Sequence, residues 1–80
     1  MGDKSKRPVE ELLLDILEEA IEEEKSSRAR YLRGYELAVD EEAKKMFQRL
    51  AQDEEAHEHV LKERYYQIKK RLGLKVMKDL

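Results

Sequence analysis

Glu24, Glu54 and His57 are the residues of this 80-residue chain whose types and spacing point to chemistry. Each stands where the helical pattern around it calls for an apolar side chain. At 100° per residue, Glu24 lies about 40° from Ala20 and about 20° from Tyr31; Glu54 lies about 40° to one side of Leu50, and His57 about 20° to the other. Carboxylates and an imidazole on an apolar stripe are unfavourable unless something compensates them. Glu and His three apart project from the same side of a helix, so one cation can touch both. A carboxylate from a facing helix then completes the set, and oxygen plus imidazole donors suit Fe(II) or Mn(II) and also accept Zn(II). Their neighbours Glu55 and His59 turn well over about 100° from the stripe, toward solvent. Glu58 is expected to be solvated as well, and Glu23 falls at the stripe's edge. The rival reading of the three is a buried salt-bridge network, with Arg28, four residues beyond Glu24, and Arg64 as the answering cations.

The elements that must position these residues are two helices. Pro8 fits the first turn of a helix, where its missing N–H is no loss. Apolar residues then recur at Val9, Leu13, Ile16, Leu17, Ala20, Tyr31, Tyr35 and Ala38, within a stripe about 100° wide that Leu12, Ile21 and Leu32 broaden. This predicts one helix over residues 8–38. Gly34 weakens it by up to roughly 1 kcal/mol relative to Ala, but Gly34 and Ser27 lie on the inner side, where small residues let another helix approach closely. Val39-Asp40 interrupts the pattern. Asp40 is a good N-cap, and Glu41 and Glu42 favour the positive start of a second helix. Its stripe reads Ala43, Met46, Phe47, Leu50, Leu61, Tyr65, Ile68 and Leu72. It stops at Gly73, a suitable C′ residue preceded by Lys69, Lys70 and Arg71. The sequence thus divides into a flexible tail over 1–7, a helical hairpin over 8–73, and a C-terminal tail over 74–80.

Helices of roughly 30 residues span about 45 Å, and so short a link makes them antiparallel. One hairpin leaves a long apolar face uncovered, and a stripe of that length left in water invites aggregation. Two hairpins paired about a two-fold axis cover both faces and make a four-helix bundle. The expected fold is therefore all-α, a two-helix antiparallel hairpin that dimerises. Two copies bring together four carboxylates and two imidazoles, whose charge matches two divalent cations. Without metal the carboxylates would crowd and their pKa values rise.

Composition narrows the rest. Lys and Arg number 17 against 19 Asp and Glu, a net charge of −2, which argues against nucleic acid as partner. The absence of cysteine leaves neither disulfide nor thiolate ligand. No apolar run approaches the roughly 18 residues of a membrane span, and the basic start is followed by an acidic amphipathic segment unlike a signal peptide. The cytoplasm is the expected location.

Glu24, Tyr31 seven residues on, and Glu54-Glu55-Ala56-His57 resemble the ferritin-like di-iron carboxylate pattern, in which Glu comes from two helices and Glu-x-x-His from two others. The chain looks like a rubrerythrin domain. It is more similar still to the encapsulated ferritins, which are also half-bundles with one Glu, one Glu-x-x-His and a short turn between. The likeness runs over residues 9–72. It implies a di-iron centre on the dimer axis that oxidises Fe(II) with O₂ or peroxide, for iron storage or detoxification. Glu24, Glu54 and His57 would carry that catalysis as metal ligands, and the Tyr31 hydroxyl would donate to a ligand carboxylate; the equal alternative for Tyr31 is a core aromatic whose hydroxyl finds any acceptor. Zn or Mn are substitutes for iron. The Leu12-Leu13-Leu14 run is core or an edge for packing dimers into a higher ring oligomer, and the likeness to encapsulated ferritins implies an encapsulin-type protein shell, to whose docking peptides the tail over 73–80 bears a loose likeness. Two other readings stand beside this one: a non-catalytic dimeric scaffold whose acids are neutralised by arginine, and a bundle with structural Zn or Mn.

Overall fold

The computed structural model describes residues 9–73. Helix α1 runs Val9–Leu37 and helix α2 runs Glu41–Arg71. The expected tails and Pro8 lie outside the described residues. Both helices end where their residues dictate. Asp40 is extended (φ −86°, ψ 153°), and its Oδ1 accepts from the Ala43 amide at 2.6 Å, the bond an N-cap supplies to an orphan donor. At the other end the Leu72 amide donates to Ile68 O and the Gly73 amide to Lys70 O. Gly73 itself has φ 75°, the left-handed cap conformation that glycine adopts without steric cost. The last turn of α1 carries no basic residue. Lys44 of α2 serves instead: its ammonium donates to the Tyr35 carbonyl at 3.0 Å and lies over the Tyr35 ring.

The connection over residues 38–40 is so short that α2 must fold back along α1. Leu14, Ile21, Tyr65 and Ile68 form the buried cluster, with Leu17, Leu61, Tyr66 and Leu72 packed against it. Nearer the turn, Gly34 faces the Phe47 ring. A Cβ on Gly34 would stand 2.8 Å from three ring carbons, so the small residue is what lets the helices close there, as the sequence implies. The Tyr65 hydroxyl donates to Glu18 at 2.7 Å, and Arg71 pairs with Glu10. These contacts hold one register along the hairpin.

The apolar stripe of α1 is split between two directions. Leu14 and Ile21 bury against α2, whereas Val9, Leu13 and Ile16 are exposed. On α2 Ala51, Tyr65 and Ile68 are buried, while Met46 and Val60 are exposed. The centre of the apolar pattern is therefore not the line of helix contact, because one neighbouring helix covers only part of a stripe this wide. On the helical wheel, Val9, Leu13 and Ile16 are rotated from Leu14 and Ile21 by about 80–160° in one sense, and Met46 and Val60 from Tyr65 by about 100–140° in the same sense. Equal senses on antiparallel helices face the same side. One side of the hairpin thus carries an open face, apolar along α1 and mixed along α2, where the exposed Asp53, Arg64 and Arg71 share the arc. Among the described residues no helix is long and apolar enough to cross a membrane.

Candidate metal centre

The three residues singled out by their spacing come together midway along the hairpin, between the Leu14–Ile21–Tyr65–Ile68 cluster and the Gly34–Phe47 contact. Glu24 comes from α1 and Glu54 and His57 from α2, and each offers a ligand atom within 4.8 Å of the other two. His57 Nδ1 lies 3.4 Å from Glu24 Oε2 and 3.3 Å from Glu54 Oε1. Among the described residues, no other group of three or more acidic, His or Cys side chains has this spacing. Glu24 is the one member of the Glu22-Glu23-Glu24 run that the wheel turns inward; its two neighbours are exposed.

Burial is unequal. The Glu24 and Glu54 side chains keep 19% and 17% of their exposure, and His57 keeps 60%. The sequence points His57 into a bundle. In the single chain it stands on the open face, within about 20° of Met46 on the wheel.

The electrostatics describe an acid pair brought close. Burial raises the Glu24 carboxyl above its usual range. Glu54 raises it further, since a protonated Glu24 donates to it and an ionised Glu24 is repelled by it; His57 pulls the other way without cancelling them. A divalent cation is the partner that would relieve such a pair, and two carboxylates with one imidazole are a fitting donor set for iron, manganese or zinc.

Other expectations for this region divide. Glu55, His59 and Glu23 are exposed, as read from the wheel. Tyr31 is half-buried, and no hydrogen bond joins it to the three ligand candidates among the described residues. Tyr65 packs inward, and burial, then its bond to Glu18, push its hydroxyl pKa up to about 12. Glu58 departs from expectation: it is buried, with 7% of its surface left. Arg28 Nη1 donates to its Oε1 at 2.6 Å, and Lys62 Nζ lies 2.9 Å from its Oε2. Burial by itself would raise the Glu58 carboxyl, but the hydrogen bond from Lys62 and the charges of Arg28 and Lys62 outweigh it and hold it low. Arg28 therefore answers Glu58 across the hairpin, not Glu24 along its own helix, and Arg64 is exposed with no ion pair to Glu54 among the described residues. The signal for Glu58 lay in the sequence: it is about 20° from Tyr65 on the wheel, with Lys62 one turn on.

A family model described as Rubrerythrin matches residues 15–79, which takes in all three clustered side chains. The chain belongs to the rubrerythrin family. That family is part of the ferritin-like di-iron superfamily, so the superfamily that the motif resembles is the one to which the chain belongs. No curated protein and no solved structure matches it.

Proposed function

We propose that two copies of this rubrerythrin-family hairpin pair through their open faces and hold a di-iron centre that oxidises Fe(II) to Fe(III). The observation that carries the reading is the convergence of Glu24, Glu54 and His57 ligand atoms within 4.8 Å, with His57 on the side that also exposes Val9, Leu13, Ile16, Met46 and Val60. One copy supplies three protein ligands and leaves the imidazole open; a second copy doubles them to four carboxylates and two imidazoles. Val9, Leu13, Ile16, Met46 and Val60, exposed in the single chain, would be covered in the same step.

Glu54 and Glu24 would hold the metal through carboxylate oxygens from the two helices, and His57 through a ring nitrogen on the open side. When bound, a pair of iron ions supplies the electrons that reduce O₂ or peroxide. The bundle has no room for a mineral core, so storage calls for a ring or an enclosing shell, and the cytoplasm, or a protein compartment within it, is the setting proposed.

Fe(II) added in air to purified protein tests this. A rapid near-ultraviolet absorbance rise that Glu54→Ala abolishes is expected. No rise, with an unchanged melting temperature on metal addition, contradicts it and favours a dimeric scaffold. Metal binding without oxidation favours a structural Zn or Mn site.

A further inference from the structure

We propose that Glu58 is a positioning residue for the metal centre: it draws Arg28 across the hairpin and so keeps the Glu24 carboxylate free to take a cation. The inference rests on the reading of Glu24, Glu54 and His57 as ligands. Glu24 and Arg28 stand four apart with the acid on the N-terminal side, the arrangement that most favours an ion pair along a helix. A guanidinium donating to both oxygens of Glu24 would occupy the lone pairs a metal needs. Arg28 nevertheless donates to Glu58 Oε1, and Lys62 holds the second oxygen.

The cost of this arrangement is visible. Glu58 is the one charged side chain buried among the described residues, on the line that also buries Ala51 and Tyr65. An apolar residue there would pack with no desolvation penalty. The pair is not needed to set the register, which the Leu14–Ile21–Tyr65–Ile68 cluster and the Tyr65–Glu18 bond already fix. Besides tying α1 to α2, the pair removes the arginine placed to neutralise Glu24. On the wheel Glu58 and His57 are about 100° apart, so the acid that holds the arginine and the imidazole that meets the metal work on separate flanks of α2.

The test is a Co(II) titration followed by visible absorption, with a metal-free stability cycle beside it. Glu58→Gln releases Arg28 and should weaken Co(II) binding about tenfold, the effect usual for residues that orient ligands. Adding Arg28→Gln to that variant should restore most of the affinity, which a merely structural role for Glu58 does not predict. In thermal unfolding without metal, the coupling between Glu24→Gln and Arg28→Gln should be near zero in the wild type and appear in the Glu58→Gln background. Undiminished affinity in Glu58→Gln, absence of rescue, or absence of the new coupling overturns the proposal. Should Glu58→Gln not fold, the apolar pair Arg28→Met with Glu58→Leu decides: it should bind Co(II) as the wild type does, and loss of binding in a folded variant overturns the proposal. A wild type that takes no Co(II) overturns the ligand reading itself, while the metal-free cycle still judges the diversion of Arg28.

Discussion

Glu24 and Glu58 are two carboxylates on one small hairpin with opposite solutions to burial. Glu24 is raised by burial and by Glu54, so its contribution to the metal-free protein is present below the unfolded value near 4.5 and is lost as pH rises through its folded value. Glu58 is lowered by Lys62 and Arg28, so its contribution is present above that unfolded value and is lost as pH falls through its folded value. Metal-free protein should therefore be most stable in mild acid. Glu24→Gln should raise its melting temperature at pH 7 by a few degrees and flatten the decline above pH 5, measured by circular dichroism across pH. The same substitution should weaken metal binding, so stability and ligation move in opposite directions at one residue. Tyr65→Phe removes a buried donor to Glu18 and should cost about 1 kcal/mol without altering metal affinity.

At the scale of the helices, the boundaries were legible because single residues impose them. Asp40 supplies a side-chain acceptor and Gly73 a left-handed cap, and both stand where the pattern breaks. Asp40→Ala should lower stability by about 1 kcal/mol. Gly34→Ala sets two effects against each other. Helix propensity gains about 1 kcal/mol, and overpacking against the Phe47 ring costs about 1–3 kcal/mol. The clash should win and the melting temperature fall, whereas the same change at an exposed helical position would raise it. The convergence of Glu24, Glu54 and His57 was readable from phase and separation alone. The burial of Glu58 was signalled by its phase with Tyr65 but missed, because the wheel was centred on the middle of the apolar pattern. The contact line with α2 is rotated from that centre, toward Glu58 and Tyr65, because one neighbouring helix covers only part of a stripe this wide.

For the whole molecule, the central question is what covers the open face. Ile16 keeps 59% of its exposure in the single chain, and it lies on the same side as His57. Ile16→Glu should leave helical content intact at low temperature, shift sedimentation from dimer to monomer, and abolish iron oxidation. Added metal should drive wild-type association by mass action, so the dimer fraction should rise with metal concentration. The measurement that bears most directly on the account is anomalous diffraction at the iron edge from crystals loaded anaerobically with Fe(II). The account predicts two peaks roughly 3.5–4 Å apart, between Glu24, Glu54 and His57 of two copies. Diffraction with no iron peak there, with those carboxylates instead neutralised by guanidinium groups, would contradict it.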